Sequence, residues 1–204
     1  MTWLQAGPRL VLASGSASRR ALLEAAGLVF AVRPAAIDEA AVKQVAQAEG
    51  RSAAQAAMRL AELKAAAIAA EEPDAVVIGA DQILVCDGVW HDKPPTLEAA
   101  QAQLRTLRGR THELATAVVC YAGRTCVWRH ADAPRLAMRP FSDGFLADYL
   151  AAEGPMATTT VGAYRLEGLG AHLFEAIEGS HSSILGLPLL PLLGFLRQRG
   201  CITA

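Results

Sequence analysis

The sequence predicts an α/β fold, and three features carry that reading. A short apolar run, "RLVLA" at 9–13, passes through a serine-rich turn into "RRALLEAAGL", whose apolar spacing and Gly27 stop suit a helix. Two β-rich stretches, 74–90 and 112–141, alternate with segments of helical spacing, the pattern of a sheet covered by helices. The chain has 204 residues, 52% hydrophobic and 19% charged, enough for one sizeable core or for two small lobes sharing a cleft. One compact domain spanning 1–204 is expected.

The elements follow in order. A second short strand is expected at 29–34, and the acidic pair Asp38 and Glu39 opens the next helical pattern. Ser52 with Gln55 forms a capping box ahead of an alanine-rich helix that Pro73 stops, a helix of about 20 residues. In "DAVVIGADQILVCDGVW" two β-rich runs flank "GADQ", so Asp81 is expected at a strand end, and Asp87-Gly88 signals a tight reversal into another strand. Thr96 begins a helix that ends at a glycine, and 112–141 reads as two or three antiparallel strands around "YAGRT". Ser142 caps a further helix, followed by the glycine-punctuated "TTTVGAYRLEGLG". The longest apolar tract, 184–196, is too short for a bilayer and carries two prolines. It reads as a passage from a core strand into a last helix that starts near Pro188 and ends before Gly200.

A net charge of −1 gives no reason to expect a nucleic acid polymer or an anionic membrane face as partner, so any phosphate recognition must be local. The four cysteines are far apart without a metal-ligand repeat, which suits buried thiols in a reducing cytoplasm. The N-terminus lacks a basic segment and a clear cleavage site, so export is not expected. The five histidines show no pairing that suggests zinc.

Chemistry concentrates in a few places. A serine-glycine turn before a helix presents unpaired N–H groups and partial positive charge, a setting for phosphate. Arg19 and Arg20 in that first turn oppose the helix dipole, which favours an anion beside them. The competing reading pairs one arginine with a neighbouring carboxylate and leaves the other solvated. Asp81 is either a catalytic carboxylate near the carboxyl end of a strand or a turn-forming aspartate. Glu39 reads as a helix-start acid, and Lys64 and Lys93, each in isolation, as solvated surface. Together, these carboxylates and cations are what a magnesium-triphosphate site requires. Ser14 or Ser16 could serve as a nucleophile, but no partner histidine is identifiable, so phosphate binding is the better role.

With "LASGSASRRALLEAAG", "AIDE", the lysine of "AELKA", "VIGADQILVCDG", "DKP", "VGAYRLEGLG" and "IEGSHSSILGLPL" in this order, the chain resembles the Maf family of nucleoside triphosphate pyrophosphatases over nearly its whole length. The resemblance implies an elongated mixed sheet flanked by helices, with two lobes around a central cleft. It also implies hydrolysis of a nucleoside triphosphate between the α and β phosphates with a divalent ion (Mg, Mn or Co). Asp81 would then activate water and share the metal with Glu39. Ser14, Ser16, Arg19 and Arg20 would hold phosphates, while Lys64 and Lys93 add positive charge around the leaving group. Gln82 and Glu167 resemble the branch acting on 7-methyl-GTP; a carboxylate at Glu167 can accept from guanine N1–H and N2–H. Ser18 stands where that branch has a tryptophan able to stack on the methylated base. A homodimer enters by analogy alone. Two other classes remain open: a nucleotide-binding regulator of cell division or septum formation, and a nucleotidyltransferase.

Overall fold

The computed structural model describes residues 7–203; the opening residues 1–6, on which the expectation of no export partly rests, lie outside the described residues. Eight strands, β1 (Leu10–Leu12), β2 (Phe30–Val32), β3 (Val76–Cys86), β4 (Val89–His91), β5 (Thr111–Ala122), β6 (Thr125–Asp132), β7 (Arg135–Met138) and β8 (Phe174–Glu178), form one mixed sheet in the order β2-β1-β3-β5-β7-β8, with β4 paired to β3 and β6 to β5. The chain divides into two compact units. The first holds the described residues up to Gln82, Thr116–Asp132 and those from Ser180 on; the second holds Ile83–Ala115 and Ala133–Gly179.

In the first unit, β1 (Leu10–Leu12) lies parallel to both β2 (Phe30–Val32) and the start of β3 (Val76–Cys86). Helix α1 (Ala17–Ala25) connects β1 to β2, and α2 (Glu39–Ala48) with α3 (Ala53–Glu71) connects β2 to β3. The Ser52–Gln55 capping box forms as the sequence predicts, and α3 runs for 19 residues. One sheet face buries Leu10, Leu12, Ile78 and Val118 against Leu23 of α1 and Leu192 and Leu196 of α7 (Leu189–Gln198). The other face receives α3. There Gly79 is indispensable, because a Cβ on it would lie 2.3 Å from the Ala61 carbonyl oxygen of α3.

Two expectations are corrected. β3 does not end near Asp81: its first residues pair with β1, and the same strand continues to Leu84–Cys86, which pair with β4 (Val89–His91). Asp81 therefore sits inside an 11-residue strand, just beyond the carboxyl end of β1. The tract 184–196 contains no strand. It closes the short helix α6 (His181–Ile184), turns at Gly186 with φ of +90°, and enters α7 behind Pro188. Glycine tolerates that φ, and proline at the helix entry lacks an N–H that would have no partner there.

In the second unit, α4 (Leu97–Leu107), capped by Thr96, packs on α5 (Asp143–Glu153), capped by Ser142. The antiparallel strand β5 (Thr111–Ala122) pairs here through Thr111–Glu113 with β7 (Arg135–Met138), which pairs with β8 (Phe174–Glu178). From Thr116 on, β5 belongs to the first unit, where it pairs with β6 (Thr125–Asp132). Asp87 and Gly88 both take positive φ in the β3–β4 reversal, as the Asp-Gly pair predicts. All four cysteines are free thiols, and no helix among the described residues is long and apolar enough to cross a membrane.

His112 of β5 is buried in this unit, its Nε2 2.7 Å from the Tyr164 hydroxyl and its Nδ1 without a partner. Burial, with His91 nearby, holds its pKa down to about 4 from an ordinary 6.5. The folded protein thus keeps His112 neutral where the unfolded chain takes up a proton. Its contribution is complete above pH 6.5 and is lost as pH falls from there toward 4. Urea titrations at pH 7.5 and 5 are expected to show wild type losing about 2 kcal/mol more than His112→Gln over that interval.

Candidate active site

The serine-rich turn is built around Ser14 and Ser16. Ser16 caps α1 through its hydroxyl, which accepts from the Arg19 backbone N–H. Ser14, nearly buried, accepts from the Ser16 N–H at 3.3 Å and from Arg19 Nη1 at 3.0 Å. A hydroxyl that accepts twice retains its own proton to donate. Ser18 is half-buried in the first turn of α1.

Arg19 and Arg20 separate. Successive residues on a helix are about 100° apart around its axis, so adjacent side chains leave in different directions. Arg19 is 8% exposed and acts as a strut: Nε donates to the Gly186 carbonyl at 2.8 Å, and Nη1 donates to Ser14 Oγ and to the Ala80 carbonyl at 2.9 Å. None of these three bonds uses Nη2. Burial lowers its pKa, opposed by the charges of Asp81 and Glu39. Arg20 is exposed and pairs with Glu24 at 2.7 Å, one helical turn on. Arg20 thus pairs with a neighbouring carboxylate, as the competing reading had it for one of the two, whereas Arg19 is buried on two carbonyls and a hydroxyl rather than solvated.

Beyond the turn stands a buried ionic cluster. Lys64, on α3, is 7% exposed, and its Nζ lies 2.6 Å from both Asp81 Oδ1 and Glu39 Oε1. The close approach of α3 to β3 at Gly79 sets this contact, since Asp81 follows two residues on along the same strand face. This corrects the reading of Lys64 as solvated surface. Asp81 is 4% exposed, and its Oδ2 is buried without a partner. Asp38 is the N-cap of α2, accepting from the Ala41 N–H, and Glu39 occupies the first turn with its side chain half exposed. Burial works to raise the Glu39 carboxyl; the hydrogen bond and charge of Lys64, with Lys43 and Arg19 adding, hold it below the usual carboxylate range. Asp81 and Glu39 balance Lys64 and Arg19, so the cluster is close to electroneutral.

Gln82, the next residue of β3, is held elsewhere: its amide N–H groups donate to Thr116 Oγ1 at 2.8 Å and to the carbonyls of Ser183 at 2.9 Å and Ile184 at 3.2 Å. Sequence reasoning missed this turn at 183–186, whose carbonyls hold both Gln82 and Arg19, because backbone acceptors carry no side-chain signature. The one available signal was Gly186 two residues ahead of Pro188. Lys93, on the loop between β4 and α4, and Glu167, in the glycine-rich segment after α5, belong to the second unit, and both are exposed. Near Glu167, Arg165 Nε donates to the buried Glu153 carboxylate at 2.5 Å, which fixes that segment to the end of α5.

For a metal, the cluster offers two carboxylates, one with an unpartnered buried oxygen, and among the described residues no group of three or more potential ligands gathers. That set fits a hard ion such as Mg, which is commonly held by one or two carboxylates and completed by phosphate and water oxygens.

The described residues thus bring together, on an α/β sheet, a serine-rich turn, a buried arginine and a lysine-bridged carboxylate pair beyond the end of a parallel strand, where open α/β sheets place their ligand sites. The chain belongs to the family of Maf-like proteins, which it matches over residues 9–199. It is 55% identical over 195 residues to a "Nucleoside triphosphate pyrophosphatase" of Granulibacter bethesdensis, covering 96% of this chain and 99% of the relative. A protein of the same description from Paramagnetospirillum magneticum is 52% identical, over 93% of this chain and 98% of the relative. A "7-methyl-GTP pyrophosphatase" of Rhizobium meliloti is 49% identical, over 97% and 99% respectively.

The two arginines are distinguished by stability. Arg19→Met removes three buried hydrogen bonds from a charged donor and is expected to cost about 2–4 kcal/mol in urea unfolding. Arg20→Met, which removes an exposed pair, should stay within about 0.5 kcal/mol of wild type.

Proposed function

We propose that this chain hydrolyses nucleoside triphosphates between the α and β phosphates, releasing a nucleoside monophosphate and pyrophosphate. The observation that carries this reading is Asp81: a buried carboxylate whose Oδ1 is fixed by Lys64 and whose Oδ2 is unpartnered. Oδ2 accepts the proton of the attacking water, and until cation and substrate arrive Lys64 keeps the carboxylate in the orientation that allows it. The names of the relatives support the same reaction.

Ser14, Ser16 and Ser18 offer hydroxyls, and the start of α1 offers N–H groups, to phosphate oxygens. Arg19 approaches the same anion through Nη2, and Arg20 reaches it by exchanging its exposed bond to Glu24. Lys64 and Lys93 offset charge that builds on the leaving pyrophosphate. A divalent ion (Mg, Mn or Co) held by Asp81 and Glu39 would supply charge neutralisation at the anhydride. Most of the rate enhancement is then positioning and electrostatic stabilisation.

The base preference rests on Glu167 and Gln82. A carboxylate at Glu167 favours a guanine-type or modified purine base such as 7-methyl-GTP through the N1–H and N2–H donors, and Ser18 supplies no stacking surface for the methyl group. The free thiols agree with a reducing cytoplasm as the place of action.

Asp81→Asn removes the proton acceptor and is expected to lower kcat by about 10²–10⁴ while leaving nucleotide binding measurable. Product analysis checks the reaction itself: with GTP and Mg, pyrophosphate and GMP should appear in equal amounts, and release of orthophosphate instead would contradict the α–β cleavage. In a panel of GTP, 7-methyl-GTP, ATP, UTP and TTP, the guanine nucleotides should give the highest kcat/KM. Better cleavage of the pyrimidines would remove the argument from Glu167.

A further inference from the structure

We propose that Lys64 is a displaceable counter-ion: in the metal-free protein its ammonium occupies the place between Asp81 and Glu39, and it gives that place up when a divalent cation binds the two carboxylates. This rests on the reading of Asp81 and Glu39 as the ion's ligands.

Both carboxylates touch one nitrogen atom, at 2.6 Å each, so they lie close enough to repel strongly were the ammonium absent. A divalent cation needs oxygens from the same two groups. A divalent cation bridging the two carboxylates would stand within a few ångströms of the ammonium, and on the side of buried Asp81 little water screens the repulsion between them. The protein also leaves Asp81 Oδ2 unpartnered, so one donor does not satisfy the pair and a further positive or proton-bearing group is accommodated there. Lys64 itself is confined. Its side chain is 9% exposed, and it sits on a helix pressed against β3 at Gly79, so on losing the carboxylates it cannot simply turn into solvent. The group it can meet instead is a second anion entering the cluster, and a phosphate that arrives with the cation is one. Lysine suits the role better than arginine, being a compact charge on a stem of rotatable bonds rather than a rigid fork.

With Arg19 included, the cluster is balanced while Lys64 is present and carries a net −1 without it. A permanent structural ion pair and a displaceable counter-ion therefore differ in what a bare cation does. If the pair is permanent, wild type binds no Mn²⁺ at Asp81 and Glu39, because the ammonium never leaves them, and a wild type without Mn²⁺ binding that depends on Glu39 overturns the proposal. If it is displaceable, removing Lys64 takes away the cation's competitor.

The test uses the full chain without nucleotide and Mn²⁺ alone as probe, read by electron paramagnetic resonance of the free ion and by thermal unfolding. Lys64→Met is expected to bind Mn²⁺ at least about tenfold more tightly than wild type. Its Tm, lower than wild type without metal, should rise with Mn²⁺ by more than wild type's does. Lys64→Arg retains a competing cation and should bind Mn²⁺ within about threefold of wild type. Lys64→Gln replaces Lys64→Met should the latter not fold. Equal or weaker Mn²⁺ binding by the neutral variant, or a Tm loss that Mn²⁺ does not restore, overturns the proposal. So does tight binding that survives Glu39→Gln in the Lys64→Met background. Pyrophosphate release by wild type is measured separately, so these results can overturn the counter-ion role while the hydrolase reading stands.

Discussion

A lysine ammonium held between two carboxylates is the contact on which the first unit's site depends. It requires α3 to lie directly against β3, and that approach is open only because Gly79 has no side chain to meet the Ala61 carbonyl. It also ties α2 to the same point, since Glu39 lies in the first turn of that helix. A charged lysine is almost never buried unless it is paired, so Lys64 and Asp81 justify one another's burial, with half-exposed Glu39 as the lysine's second partner. Asp81 gains from this a fixed orientation and one unsatisfied oxygen, the combination a reactive carboxylate needs.

A second constraint acts on the opposite side of the serine turn. The carbonyls of residues 183, 184 and 186 face inward at the end of α6, and they receive the Gln82 amide and the Arg19 guanidinium. The start of α1, the middle of β3 and the entry to α7 are thereby joined by hydrogen bonds rather than by apolar packing alone. Arg19 would be an unfavourable charge in the first turn of a helix if its side chain remained there. Reaching across to carbonyl oxygens, with Asp81 and Glu39 nearby, it fixes the turn whose hydroxyls and N–H groups are the phosphate-facing part of the proposed site.

The second unit is organised by a different balance. His112, Tyr164 and Phe174 pack as an aromatic group in which His112 stays neutral, so no charge is buried. The segment carrying Glu167 runs through three short 3₁₀ helices, Gly154–Thr158, Val161–Ala163 and Leu169–Leu173, and the buried Glu153 carboxylate anchors it through Arg165. Tyr149 adds a hydrogen bond to the Ala163 carbonyl. Glu167 therefore projects from backbone that is fixed at both its aromatic and its ionic contacts.

Much of the local structure was legible in the sequence because its causes are local. The Ser52–Gln55 box, the Thr96 and Ser142 caps, the Asp87-Gly88 reversal and the stop at Gly27 each depend on residues within a turn or two of one another, and all form. The order of motifs was also enough to place the chain in its family. The sequence alone could not say that β3 continues past Asp81, since that depends on pairing with β4 later in the chain. Nor could it show that 184–196 is a turn between helices rather than a strand, or which face of an alanine-rich helix would carry Lys64 inward. Two neighbouring arginines looked equivalent, and only the position of the 183–186 turn made one a buried strut and left the other at the surface. Residue type and spacing determine caps and turns, whereas the partners of a buried charge come from distant parts of the chain, and only tertiary packing brings them within reach.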